Sequence, residues 1–361
     1  MNGASVRWPR GRCRGCCVLA VLAAVAAGLA PAARAMEVPP ESVLDREGAR
    51  RAWAKLAKKY VDTSEAAREM RISASIGDTE AVKRAIKAGV SPNAANRFGK
   101  TPLMMAAENG NFQTFLYLLR KGADVNARTV AGCTALTFAA ENNQPRMIAM
   151  LLDRGAMPDV QTRAGWTPLI YAARHGNVDA IRMLIHRGAA LNIQDKVGRT
   201  ALMIAAEKGH DEAVKALMDA GAFLEARDRR SKATALMLAA DNRHFKVVDL
   251  LLSRGAKIDA VDADGETALM RAVEEDHDPV VRVLLARGAD VNLRDHDGET
   301  ALMKAARNGS ARVVRMLLKM GADPAAKDNK GRTALDIARK AGAEKVVALL
   351  EEALRGKRKG G

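Results

Sequence analysis

Apolar positions fall along this chain in pairs of short helical stripes. Leu169, Ala172 and Ala173 share one side of a helix by their spacing, and Ile181, Leu184 and Ile185 do the same a little further on. Polar, glycine-containing stretches separate one pair from the next. The pattern predicts two short helices per unit, each with an apolar side that it cannot bury alone.

The unit recurs. Thr101, Thr134, Thr167, Thr200, Thr234, Thr267, Thr300 and Thr333 are spaced by 33 residues with a single 34, and each is followed by Pro or Ala and then Leu. Gly89, Gly122, Gly155, Gly188, Gly221, Gly255, Gly288 and Gly321 keep the same register. A threonine side chain caps a helix start, and Pro102 and Pro168 suit the first helical position, where no amide donor is lost. The glycine suits the left-handed residue that often follows a helix. Eight units in register imply a solenoid, in which stacking buries the apolar sides continuously.

Thr167-Pro168-Leu169, Ala172-Ala173, Gly188-Ala189 and the loop Asn192-Ile193-Gln194-Asp195 resemble the ankyrin repeat, and the resemblance runs from about Ala66 to Leu354. It implies an all-α ankyrin-repeat solenoid of helix-turn-helix units with β-turn-like loops. The expected organisation is a signal peptide over 1–35, a linker and amphipathic helix over 36–63, and a capping repeat over 64–98 that lacks the Thr-Pro-Leu opening. Eight Thr-led repeats follow over 99–354, the last acting as the C-terminal cap, and a basic tail occupies 355–361. The family motif usually continues after Leu with a histidine that ties neighbouring turns together. Here that position holds Met104, Thr137, Ile170, Met203, Met237, Met270, Met303 and Asp336. The usual tie is therefore missing, and methionine is expected to act as adaptable apolar filling.

The N-terminus changes the picture. Met1 to Arg14 carry four arginines and no acid, and the apolar run Cys16 to Ala30 and the triplet Ala33-Arg34-Ala35 follow. The run is shorter than the roughly 20 residues that span a bilayer as a helix, so a secretory signal cleaved near Ala35 is expected. Cleavage removes Cys13, Cys16 and Cys17 and leaves Cys133, so no intramolecular disulfide can form. It also removes five arginines and no acid, lowering the formal charge from +16 to +11. Beyond it, Trp53, Leu56, Ala57 and Tyr60 share a helical side opposite Arg50, Arg51, Lys55, Lys58 and Lys59. That segment can dock onto the first repeat, or use its basic side on a partner or a membrane surface.

The resemblance implies that partners bind the concave side, made of loop tips and first helices. There the middle units present Arg128, Arg163, Lys196, Arg199, Arg227, Arg229, Arg230 and Lys232, and later units present Asp262, Asp264, Glu266, Glu274, Glu275 and Asp278. A groove positive in its middle and negative beyond would orient a dipolar partner. Trp166 stands just before the motif threonine, a position expected to face solvent. With Arg163, Tyr171 and Phe138 it has the aromatic-plus-arginine character of a binding hot spot, packing within the repeat being the alternative. Cys133 holds the same position one unit earlier and is expected to be partly exposed. The extra residue within Arg229-Arg230-Ser231-Lys232-Ala233 predicts a remodelled basic finger.

Nothing in the sequence clusters as catalytic chemistry requires. His210, His244 and His277 follow the repeat and read as structural, and no metal-ligand spacing or phosphate-cradling glycine loop occurs in the mature chain. No enzyme activity, cofactor or metal is expected. Nor is nucleic acid, because aromatics are not interleaved with the basic residues. The leading expectation is an exported scaffold, periplasmic or secreted, that binds a protein with an acidic surface. The alternative is a binder of polyanions or anionic membrane surfaces, and a third reading makes the solenoid a spacer.

Overall fold

The structure is a computed structural model that describes residues 61–360, with side chains described to 356. The expected signal peptide and the amphipathic segment before Val61 lie outside the described residues. The expected capping unit comprises α1 (Glu65–Ile76) and α2 (Thr79–Lys87). The next four units are α3 (Pro102–Glu108) with α4 (Phe112–Arg120), α5 (Ala135–Glu141) with α6 (Pro145–Asp153), α7 (Pro168–His175) with α8 (Val178–His186), and α9 (Ala201–Lys208) with α10 (Asp211–Asp219). Then come α11 (Ala235–Asp241) with α12 (Phe245–Ser253), α13 (Ala268–Glu274) with α14 (Asp278–Ala286), α15 (Ala301–Arg307) with α16 (Ala311–Lys319), and α17 (Ala334–Lys340) with α18 (Glu344–Gly360). Each first helix packs on the first helices before and after it, and the second helices form a parallel row. The expected all-α solenoid is formed.

Each motif threonine does the same work. Its hydroxyl accepts the amide hydrogen of the residue three further on, as Thr167 does from Ile170 at 3.3 Å, and all of these threonines but Thr333 are buried. Such a cap is worth about 1 kcal/mol. In the first seven Thr-led units the leucine two residues later and the alanine pair, Ala272-Val273 in the sixth, are buried, as with Leu169, Ala172 and Ala173. Alanine lets adjacent first helices approach closely. Met104, Met203, Met237, Met270 and Met303 are buried beside them, filling the space where the family motif usually has histidine.

The tie between units is made elsewhere. At the bend between the two helices, Asn111 Nδ2 donates to the carbonyls of Ala74 and Ser75, and Asn177 Nδ2 to those of Ala140 and Glu141. His210 Nε2, His244 Nε2 and His277 Nδ1 meet the carbonyls of Arg174, Glu207 and Ala240 at 3.0, 3.1 and 3.0 Å. Each of these bonds reaches the preceding unit. The three histidines are therefore structural for a specific reason: each satisfies a carbonyl at the end of a first helix, where the helix leaves acceptors unpaired.

The final helix continues to Gly360, so the backbone of the segment read as a basic tail is helical.

Candidate interaction surface

The loops stack as regularly as the helices. A side chain at the start of each turn accepts backbone amides: Asp195 Oδ1 takes those of Val197 and Arg199, both at 2.9 Å, and Asp262, Asp295 and Asp328 repeat the arrangement. One backbone bond then joins each loop to the one before it, running from Val130 N to Phe98 O, Arg163 N to Ala131 O, Lys196 N to Ala164 O and Arg229 N to Val197 O. The ladder continues from Ala263 N to Ser231 O, His296 N to Asp264 O and Asn329 N to Asp297 O. Close stacking leaves no room for a side chain at Gly165, where φ is +81° and a Cβ would lie 2.7 Å from Lys196 N.

This ladder sorts the basic residues. Arg128 Nη2 donates to Gln161 O, and Arg227 Nη1 to Val261 O, each bridging to the next loop. Gln161 and Gln194 make the same bridge, to Gln194 O at 3.0 Å and Arg227 O at 3.2 Å. Arg128 and Arg227 thus staple loops together, and burial pushes the Arg128 guanidinium below the usual arginine value. Arg199 lies flat on its own unit, with Nη1 donating to Glu207 at 2.5 Å and Nε buried without a partner. Arg163, Lys196, Arg229 and Arg230 are exposed on three successive loop tips.

The extra residue in unit five is absorbed. Asp228 accepts from the Ser231 amide and hydroxyl, and Lys232 takes φ +59°, the conformation held by Gly198 and Gly265 in the neighbouring loops. The expected basic finger is a turn of ordinary reach, because Ser231 still receives the ladder bond from Ala263.

The position before the motif threonine does not face solvent as expected. Its side chain lies along the first helices, and Cys133 is buried with Sγ 3.6 Å from the Tyr171 hydroxyl of the next unit. Phe138 is also buried, under the Lys100 ammonium 4.6 Å from its ring centroid, so its ring presents no open face. Trp166 is half-buried. Its Nε1 donates to Asp195 Oδ2 at 3.1 Å, its ring meets Tyr171 edge-on at 5.2 Å, and the Arg174 guanidinium sits 4.8 Å from its centroid. Trp166, Tyr171 and Arg163 are brought into the same unit, whereas Phe138 is sealed beneath the surface.

The later acids are largely committed within the chain. Lys304 is buried among Glu266, Glu274 and Asp295, Arg271 bridges Asp241 and Asp262, and Glu299 pairs with Arg307 and Arg332. Burial alone would push Lys304 down, but the hydrogen bond and charge of Glu266, with Glu274 and Asp295, hold it above the usual lysine value. Burial raises Asp241 to about 6 against the pull of Arg271, and raises Glu266 against that of Lys304. The expected negative end is therefore an interlocked ion-pair network, with Asp264, Glu274 and Glu275 at its exposed margin. Pairs at a 38-residue spacing, such as Glu266 with Lys304 and Cys133 with Tyr171, were the signal from which this column could have been read.

Among the described residues no group of three or more His, Cys, Asp or Glu is placed to hold a metal, and no helix is long and apolar enough to cross a membrane. The family models that match are ankyrin repeats in three copies, over residues 70–164, 155–228 and 225–295, and ankyrin repeats in many copies, over 284–338. The chain belongs to the ankyrin-repeat family, whose architecture is consistent with a scaffold for protein–protein interaction. A solved structure similar to it is the ankyrin repeat domain of Bcl-3, described as a unique member of the IkappaB protein family. The two share 33% identity with a TM-score of 0.57, over 61% of this chain and 99% of that one. No curated protein matches the chain.

Proposed function

We propose that this protein is an exported scaffold that binds an acidic protein surface along the loop tips of its third to fifth Thr-led units. The observation that carries this reading is the row Arg163, Lys196, Arg229 and Arg230, exposed on three consecutive tips that the backbone ladder holds in register. Fixed spacing lets such a row select an acidic pattern as well as attract it, because the cations need little ordering when the partner arrives. Trp166 and Tyr171 lie beside the row as a partly open aromatic step. Export rests on the arginine-rich, then apolar, N-terminal segment, and places the mature protein in the periplasm or outside the cell.

Two measurements test the proposal. Sequencing the mature N-terminus from the extracytoplasmic fraction should give Met36 as the first residue, and a chain that keeps Met1 would refute export. Partners cross-linked to the native protein should be lost from R163E/K196E/R230E at moderate salt. Retention of the same partner by the triple variant would remove the loop row from the interface. The basic tips also favour a second reading, a polyanion ligand. A steep linear fall of log affinity with log salt would support it, whereas a protein interface loses mainly association rate.

A further inference from the structure

At the N-terminal end of the first-helix face lies an open groove of about 600 Å³, lined by Ile72, Ile76, Phe98 and Met105. Ile72 is 50% exposed and Ile76 71% exposed, an unusual cost for two isoleucines on one helix face. Repeat register explains why they are bare. Ile72 stands at the helix position held by Met105, Phe138 and Tyr171 in the units that follow. There Phe138 is covered by Lys100 and Tyr171 is met by Cys133, each a residue of the unit before. The capping unit has no repeat before it, so nothing among the described residues plays that part for Ile72.

The polar groups around the groove are already engaged. Arg71 Nη1 donates to the carbonyls of Asp62 and Ala94 at 2.8 and 3.0 Å, Arg68 pairs with Glu65 at 3.3 Å, and the Arg97 guanidinium lies 4.8 Å from the Phe98 ring centroid. What the groove offers is apolar surface. The chain arrives beside it: Val61 forms a parallel bridge with Ala95, Asp62 N donates to Ala95 O at 3.0 Å, and Thr63 lines the groove.

We propose that residues 50–60 dock in this groove as an amphipathic helix, setting Trp53, Leu56 and Tyr60 against Ile72, Ile76 and Met105 and standing where a preceding repeat would stand. Spacing, charge and tethering all favour this occupant. Trp53, Leu56, Ala57 and Tyr60 form one apolar side at helical spacing, and Tyr60 is the residue before Val61. Glu65 and Glu69 are exposed on α1 in line with Ile72 and Ile76, an acidic margin that attracts at longer range a segment carrying Lys55, Lys58 and Lys59. A segment joined directly to its site has a high effective concentration there, and a modest apolar contact suffices to hold it.

The test uses the mature chain, residues 36–361, carrying Trp166→Phe, which leaves Trp53 as its one tryptophan. Docking predicts blue-shifted Trp53 emission with weak acrylamide quenching, and a red shift with severalfold stronger quenching on Ile76→Asp. Ile76 is largely exposed, so this change opens no core cavity; circular dichroism and the urea midpoint check that the solenoid stays folded. Leu56→Asp, made in the segment itself, should give the same red shift and serves if the first variant does not fold. Trp53 as accessible in the folded chain as in urea overturns the proposal. So does a blue shift that survives both aspartates, or one that appears only on adding vesicles of phosphatidylglycerol.

Discussion

The indole Nε1 of Trp166 donates to the carboxylate of Asp195, 29 residues on and in the next loop, at 3.1 Å. The same carboxylate holds two amides of its own turn. An aromatic side chain at the edge of one unit thereby fixes the loop of its neighbour.

Trp166→Phe keeps a ring against Tyr171 and removes only the bond to Asp195, so it should cost about 1 kcal/mol in urea unfolding. Trp166→Ala also removes the packing and should cost more, toward about 3 kcal/mol. If Trp166 serves the partner as well, Trp166→Phe should weaken binding while leaving the fold intact. Unchanged affinity would assign the residue to packing alone.

Lys304→Ala should be among the most damaging single changes in the chain. It leaves Glu266, Glu274 and Asp295 facing one another without their cation, and breaking a buried pair in this way typically costs about 3–5 kcal/mol. Adding Glu266→Gln to Lys304→Met should recover part of the loss. A double variant no better than the single one would show that apolar volume, and not charge, sets the cost.

The acids predict opposite responses to pH. Burial pushes Asp241 up to about 6 in the fold from the ordinary aspartate value of 3.8, so the folded state holds the extra proton between those values. Its contribution to stability therefore falls as pH rises from about 4 to 6, and Asp241→Asn should abolish that slope in urea midpoints measured across the window. Asp336 moves the other way. The Thr333 amide and hydroxyl hold it below its usual value, so its stabilisation is present above about pH 4 and is lost as pH falls further. Asp336→Asn should flatten the acid limb, and an unchanged acid limb would argue against the cap.

Lys232→Gly should stabilise the protein by about 0.5–1 kcal/mol, since Lys232 is held at φ +59° where glycine has no steric cost. Gly198 at the matching position tolerates nothing larger: Gly198→Ala would place a Cβ 2.7 Å from Arg229 N and should destabilise. A thermal melt of each variant decides the pair.

The repeat register, the helix pairs and the threonine caps were legible because each follows from residue type at a fixed spacing. The surface was harder to read. Trp166 and Cys133 looked outward when only their own loop was considered, but the solenoid brings the next loop or first helix against them, a contact more than two dozen residues away in sequence, while Arg199 folds onto Glu207 of its own first helix. Arg128 and Arg227 looked like partner-facing cations until the 33- and 34-residue bridges to Gln161 O and Val261 O accounted for them. The missing motif histidine hid a tie that had moved to Asn111, Asn177, His210, His244 and His277 at the bend between the two helices. Burial and pairing across units are properties of the stack, and one unit's sequence does not contain them.

The loop ladder gives the molecule a mechanical character. Every junction is closed by one backbone bond, with side-chain staples at several of them, and even the insertion at 229–232 keeps its link from Ala263 to Ser231. Bending strain in such a strip spreads over all its junctions instead of collecting at one weak seam. A stretched molecule should then lengthen smoothly at low force and peel from an end, one unit at a time, at high force. A ligand that spans three loop tips would stiffen that stretch and shift the point of failure to a junction outside it.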